Sequence, residues 1–420
     1  VEIVERRLMT TTAPVCRSCG HQHLEPVLDL GRVPLANSLP TAEDIRNGEE
    51  ERFPLALFFC PECSLVQIGE SVNPKKLFSE YLYASSFSET MLAHASALVE
   101  RLVEERALGE GHRVIEIASN DGYLLQYYKQ RGIEVLGIEP AANIARMATE
   151  EKGIPTLVEF FGAELGDRLS ADGVKADVMH AHNVFAHVPD PRSFVAGLKK
   201  VLKPNGVVVI EAPYLGEFID KLEFDTIYHE HFSYFSLSAV NHLVKRYGLM
   251  LADVELVPIH GGSLRMFIAH EGAAAPSGNV EKMLAEEERR GMKDTAFYRD
   301  FADRVRKLGE ELNALLRNFK SEGKRIAAYG ASAKGSTLMN TYGIGASEID
   351  FVADRSTLKQ GRLTPGNHLP ILPPEALMEK RPDYALLLTW NFADEILRQQ
   401  QEWRDQGGKF IIPLPELQIV

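Results

Sequence analysis

Arg113-Val-Ile-Glu-Ile-Ala-Ser-Asn-Asp-Gly-Tyr123 is an apolar run that ends in a turn of small and polar residues, and Gly137-Ile-Glu-Pro140 closes a second apolar run on an acid. A strand, a turn, a helix and a second strand ending in a carboxylate make a nucleoside pocket. The turn lets the backbone approach the ligand, and the acid accepts hydrogen bonds from ribose hydroxyls. Glu116, Ala118, Ser119, Asn120, Gly122, Glu139 and Pro140 are therefore the expected cofactor contacts. Only Gly122 stands where the pyrophosphate-binding version of this turn needs three glycines. The turn predicts an adenosine without a pyrophosphate, and S-adenosylmethionine fits. Met179-His-Ala-His-Asn183 ends a later strand of the same kind. Ligands sit at the carboxyl ends of such strands, so His182 and Asn183 are expected beside the methionine moiety or the adenine.

Outward from this turn, strands and helices alternate, which is the pattern of a doubly wound α/β sheet. Strands are expected at 114–117, 135–138, 178–182 and 207–211. A helix at 236–247 leads to strands at 250–257 and 263–269, an antiparallel finish that suits a class I methyltransferase sheet better than a dehydrogenase half. Residues 278–322 carry helical spacing with dense charge, including Glu286-Glu-Glu-Arg-Arg290. They read as a connecting helical segment with one solvated face. A second α/β (Rossmann-like) unit follows, with strands expected at 326–329, 349–352, 384–388 and 410–412. The expected domains are a zinc-binding module at 1–80, a cofactor domain at 81–275, and a helical linker with a C-terminal α/β domain at 276–420.

All four cysteines fall in two pairs, Cys16-Arg-Ser-Cys19 and Cys60-Pro-Glu-Cys63. Two C-x-x-C pairs with none left over predict one tetrahedral thiolate site for structural Zn2+, with Cys16, Cys19, Cys60 and Cys63 as ligands. Four thiolates leave no open position, so this metal should not take part in catalysis. The chain has 420 residues and a formal net charge of −13, which argues against wholesale nucleic-acid binding. No apolar run is long enough to span a membrane. The first ten residues lack a signal-peptide core, so a cytoplasmic location is expected. A monomer is plausible; the sequence does not decide the oligomeric state.

Three blocks together carry a resemblance: the double Cys-x-x-Cys head, Ile117-Ala-Ser-Asn-Asp-Gly-Tyr123, and Tyr228-His-Glu-His231. A fourth is the tail Tyr329-Gly-Ala-Ser-Ala-Lys-Gly335. In this order, over nearly the whole chain, they resemble the sugar C-methyltransferases of deoxysugar and antibiotic biosynthesis. The resemblance implies methyl transfer from S-adenosylmethionine to a ring carbon, C-3, beside the keto group of a TDP-linked 4-keto deoxysugar. Carbon becomes nucleophilic only after loss of a proton next to a carbonyl, so a base and a donor to the carbonyl oxygen are required. Tyr228-His229-Glu230-His231 holds that inventory. His231 is the expected base, with Glu230 either orienting it or taking the proton itself. Tyr228 is the expected donor to the substrate oxygen, and a tight turn would bring it to His231. His187 is expected at the pocket mouth and His229 at the substrate.

The tail turn after Gly330 should open a helix whose N–H groups, with Lys334, make an anion site. Ser332, Lys334 and Lys359 are the expected contacts to a nucleotide-sugar diphosphate, with Arg362 also in reach. Tyr83 lies in an aromatic, serine-rich stretch that serves either as packing or as a lid contacting substrate. Three other readings fit less well. An RNA or protein methyltransferase with the head as reader needs a basic aromatic patch, and Glu49-Glu-Glu51 stands in the head instead. A nicotinamide-dependent oxidoreductase needs G-x-G-x-x-G, which is absent from the tail turn. A zinc adaptor leaves the Tyr-His-Glu-His cluster without a purpose.

Overall fold

The computed structural model describes residues 14–69, 72–73, 77, 85–259 and 261–420. The chain opens with an antiparallel meander of β1 (Glu25–Pro34), β2 (Arg52–Phe59) and β3 (Val66–Ile68). The Cys16 and Cys60 knuckles sit beside this sheet, and Leu55, Leu57, Phe59 and Val66 are buried in it.

A helix at Glu89–Glu105, capped by the Ser88 side chain, leads into the central sheet. Its parallel strands are β4 (Arg113–Ile117), β5 (Glu134–Ile138), β6 (Thr156–Leu157), β7 (Ala176–His182) and β8 (Leu202–Pro213). Each contains the stretch expected from sequence, except that β6 was not anticipated: two residues are too few to show a period. After β8 the chain departs to form β9 (Ser233–Tyr234), which pairs with β3 and completes the sheet of the N-terminal module. It then returns as β10 (Leu249–Val257) and β11 (Ser263–His270). The order is β10-β11-β8-β7-β4-β5-β6, with β11 antiparallel to both neighbours. This is the Rossmann-like fold of class I methyltransferases, with the antiparallel finish expected from 250–269.

Residues 278–322 form two helices, Gly278–Arg289 and Thr295–Ser321, broken at Gly291 in a left-handed conformation (φ 74°). The second buries Tyr298, Phe301, Val305, Leu312 and Leu316 along one stripe and leaves its charges outside. The acidic run in the first is not uniformly solvated. Glu287 is fully buried and accepts from the backbone N–H groups of Leu237 and Ser238 at 2.7 and 2.8 Å. It caps the helix Leu237–Lys245 from outside, together with Ser236.

The C-terminal α/β unit holds β12 (Ile326–Tyr329), β13 (Val352–Ala353), β14 (Ile371–Leu372), β15 (Tyr384–Leu387), β16 (Lys409–Ile412) and β17 (Gln418–Ile419). Their order is β14-β13-β12-β15-β16-β17, parallel but for β17. The strand expected at 349–352 pairs only at its end: Ile349 and Phe351 are buried, but the ladder to β12 begins at Val352. Among the described residues no helix is long and apolar enough to cross a membrane.

Candidate functional site

The two cysteine pairs converge. One sulfur from each of the four residues lies within 4.8 Å of all the others, with Cys16–Cys63 at 3.5 Å and Cys19–Cys60 at 3.6 Å. A tetrahedral zinc with Zn–S bonds of about 2.3 Å spaces its sulfurs at roughly 3.8 Å, so the donor set fits. The knuckles are built by short backbone bonds, Gly20 N–H to the Cys16 carbonyl at 3.0 Å and Ser64 N–H to the Cys60 carbonyl at 2.9 Å. Ser64 adopts a left-handed conformation (φ 60°) to close the second.

The carboxyl ends of β4, β5 and β7 open on one cavity of about 770 Å³. Three non-glycine residues at its rim are left-handed: Ala118 (φ 54°), Asn120 (φ 50°) and Asn183 (φ 54°). Such backbone strain is tolerated where surrounding structure fixes it, commonly at functional sites. Glu139 supplies part of that fixation. Its two oxygens accept from the backbone N–H of Asn120 at 3.0 Å and of Ala141 at 2.9 Å. Burial raises the Glu139 carboxyl, and these two N–H groups oppose the rise. A carboxylate has about four acceptor positions, so ribose hydroxyls still find lone pairs there.

Ala118, Asn120, Glu139, Pro140, His182 and Asn183 line the cavity. Glu116, Ser119 and Gly122 support the turn from beneath and do not line it. Both Glu116 oxygens, the Ser119 hydroxyl and the Asn183 carbonyl oxygen are buried with no partner among the described residues. Burial, with Asp121 and Glu139 near, pushes the Glu116 carboxyl well up. Of the unpartnered atoms, the Asn183 oxygen belongs to a residue of the cavity wall, where an unsatisfied acceptor suits a ligand with N–H and O–H donors, as the adenosine and the amino-acid end of S-adenosylmethionine have. Gly137 is needed for closeness: a Cβ there would stand 2.5 Å from the Ser119 hydroxyl oxygen.

His182 belongs to a buried chain. Tyr128 and His180 meet at 2.9 Å, His180 and His182 at 3.0 Å, and His182 Nδ1 lies 3.3 Å from Glu211. Arg265 donates to Glu211 at 2.6 Å, and His94 lies 2.9 Å from it. Burial alone would raise the Glu211 carboxyl, but His182, His94 and Arg265 hold it well below the usual carboxylate range. Arg265→Met should cost about 3–5 kcal/mol of unfolding free energy in a urea titration, because it strips a buried carboxylate of its cation. An unchanged midpoint would remove the network from the account of stability.

The Tyr228-His229-Glu230-His231 segment folds as a tight turn, with His231 N–H bonded to the Tyr228 carbonyl at 2.9 Å. It sets the Tyr228 hydroxyl 3.0 Å from His231 Nε2. His231 Nδ1 lies 2.8 Å from the Thr226 carbonyl, which can only accept, so Nδ1 carries the proton and Nε2 the lone pair. Tyr228, His231 and His187 line the cavity, and the His187 and His231 rings meet edge to face at 4.7 Å. Burial pushes the His187 imidazole down to about 4.

Two members of this segment stand elsewhere than expected. Glu230 neither orients His231 nor lines the cavity; it accepts from Asn37 Nδ2 at 2.7 Å, and burial raises its carboxyl. His229 turns to the N-terminal module, with Nε2 3.2 Å from the Pro54 carbonyl. In an extended strand the side chains would alternate between two faces; the turn replaces that alternation and pairs Tyr228 with His231.

The C-terminal unit reaches the same cavity through Ser332 and Lys334 at the start of helix Ala333–Tyr342. Asp354 accepts from the Ala331 and Ser356 backbones at 2.7 Å each, as Glu139 does in the first unit. Lys359 is not in the cavity lining. It donates to the Ala331 carbonyl at 2.8 Å and lies 3.7 Å from Asp354. Arg362 donates to the Leu39 carbonyl at 3.1 Å, joining the C-terminal unit to the N-terminal module. Tyr83 lies outside the described residues. Sequence reasoning missed Thr226, which acts through its carbonyl, and Phe160, Tyr214, Glu223 and Phe392 in the cavity wall. Of these, only Glu223, shortly upstream of the Tyr-His-Glu-His run, offered a signal.

Comparison with known proteins covers the chain in three parts. Residues 16–78 match a zinc binding domain, 87–254 a methyltransferase domain, and 258–415 a C-methyltransferase C-terminal domain. The chain is 38% identical to the C-methyltransferase NovU of Streptomyces niveus over 408 residues, covering 96% of each chain. It is 30% identical to a ubiquinone biosynthesis O-methyltransferase of Hahella chejuensis over 106 residues, 24% of this chain and 44% of that one. Among solved structures, magnesium protoporphyrin IX methyltransferase from Synechocystis with bound SAH aligns at 13% identity with a TM-score of 0.35, over 43% of this chain and 83% of that one.

Proposed function

The chain belongs to the C-methyltransferase family, and from that premise we propose that it methylates C-3, beside the keto group, of a TDP-linked 4-keto deoxysugar in deoxysugar or antibiotic biosynthesis. That it is an S-adenosylmethionine-dependent C-methyltransferase with a structural Zn2+ follows from the relative that matches it end to end and from the cysteine cluster. The sugar, its nucleotide and the carbon are our reading. One observation supports it above the others: a single cavity is lined by the Asn120–Glu139 crevice, by Tyr228 and His231, and by Ser332 and Lys334. In this reading residues 1–80 brace the site, 81–275 hold the methyl donor, and 276–420 contact the nucleotide-sugar.

S-adenosylmethionine supplies an electrophilic methyl group when bound, and Glu139, Asn120 and Asn183 would hold it. His231 takes the ring proton on Nε2, because Nδ1–H is committed to Thr226. The C–H electron pair moves into the enolate, whose negative charge falls on the carbonyl oxygen. Tyr228 donates its hydroxyl to that oxygen, turning from Nε2 as substrate enters. His187, neutral at pH 7, sits against His231 without opposing the positive charge that arrives there.

Incubation with labelled S-adenosylmethionine and a panel of TDP-keto-sugars tests the proposal. Methyl on C-3 of a 4-keto member supports it; transfer to oxygen, or to no member, overturns it. Glu139→Ala should weaken S-adenosylmethionine binding about 100-fold by calorimetry, since two charge-assisted hydrogen bonds and the turn's own anchor are lost together. An unchanged Kd would move the donor out of this crevice.

A further inference from the structure

Glu223 has no part in the chemistry above, yet it lines the cavity and is only 4% exposed. Its Oε1 is buried with no hydrogen-bond partner among the described residues. Glu223 immediately precedes the single helical turn Phe224–Thr226, whose last carbonyl holds His231 Nδ1. The acid therefore opens the segment that ends at the base. Gly261, left-handed at φ 91°, lies against it: a Cβ there would stand 2.5 Å from Oε1 and 3.1 Å from Oε2. A glycine backbone thus confines the carboxylate from one side.

The charges around it do not balance. Asp225 is fully buried nearby and accepts from the Trp390 indole at 2.7 Å. Lys334 lies over the Trp390 ring at 4.8 Å and forms no ion pair with either acid among the described residues. Glu217 and Lys221 pair with each other at 2.8 Å. One ammonium thus faces two carboxylates at this end of the cavity. Burial raises the Glu223 carboxyl to about 7, with Lys334 opposing and Asp225 adding to the rise. A buried carboxylate is costly until it meets a donor. None is supplied here by the described residues, which leaves that acceptor open to a donor on the ligand.

We propose that Glu223 is a specificity-determining residue, accepting a hydrogen bond from a hydroxyl or ammonium group on the sugar ring while Lys334 faces the anionic part of the same molecule. This rests on the nucleotide-sugar reading of the site. The excess of negative charge favours the ammonium, which gains Coulomb attraction as well as the hydrogen bond.

Three TDP-4-keto-6-deoxy sugars that differ only in carrying hydroxyl, amine or hydrogen at C-2, and a second set differing at C-3, test it. The wild-type enzyme should favour a donor-bearing sugar over its deoxy counterpart by about 100-fold or more in kcat/KM, as sites built around a buried polar group do. Glu223→Leu, which removes the acceptor, should erase most of that preference through KM, with S-adenosylmethionine affinity and melting temperature kept as evidence of folding. Glu223→Asp, one methylene shorter with its charge intact, should fall between. A larger loss for the amine than for the hydroxyl identifies an ammonium; a larger or equal loss for the hydroxyl identifies a hydroxyl. Wild-type transfer with an unchanged ranking in both variants overturns the role of Glu223 alone. No wild-type transfer to any sugar, with S-adenosylmethionine still bound, overturns the substrate reading and this assignment with it.

Discussion

His231→Asn should lower kcat by about 100- to 10,000-fold while S-adenosylmethionine binds as tightly as before. Asparagine isolates the chemistry from the fold. Its amide nitrogen stands near the position of Nδ1 and can still donate to the Thr226 carbonyl, which lies 2.8 Å away in the native protein. What disappears is Nε2, the lone pair proposed to receive the ring proton. Exchange of the acidic ring hydrogen with deuterated water, followed without methyl donor, should vanish in the same proportion. If exchange persists at the native rate, another group removes the proton. Tyr228→Phe separates the second role, since exchange should slow because the enolate oxygen loses its donor.

Removing one zinc ligand should have the largest effect on the fold. Cys60→Ala should abolish stoichiometric zinc in elemental analysis and lower the melting temperature by on the order of 10 °C or more, since structural zinc contributes many kcal/mol to folding. The damage should not stay in the module. β3 receives β9, and Ile68 N–H bonds the Phe232 carbonyl at 3.1 Å, so the residues just after His231 belong to the cysteine-side sheet. Asn37 and Pro54 hold Glu230 and His229 from the same side. Activity should therefore fall further than S-adenosylmethionine affinity, whose crevice is built on the central sheet. A Cys60→Ala protein that keeps its zinc and melts like the wild type would sink the structural-metal assignment.

The longer parallel strands were readable because they are largely buried on both faces and appear as mostly apolar runs between turn residues, whereas β6 and β14, two residues each, show no such run. The place of Glu139 at the cavity and the convergence of the cysteine pairs were readable because spacing alone carries them. Thr226 was not, since it works through a main-chain carbonyl, for which side-chain identity is irrelevant. Glu287 reads as one acid in a charged run; only the approach of helix Leu237–Lys245 makes it a cap. Glu230 was drawn to the base by adjacency in sequence, but one tight turn aims neighbouring side chains at different partners. β9 pairs with β3, a strand more than a hundred residues earlier, a long-range fact that no local pattern contains.

That pairing limits how such enzymes can be recombined. A head exchanged by itself between two relatives would set a foreign edge beside Ser233 and Tyr234 and disturb the loop that carries His231. The heritable unit is discontinuous: the cysteine-bearing segment and the stretch from Tyr228 to Phe235 have to travel together, although 164 residues lie between Cys63 and Tyr228.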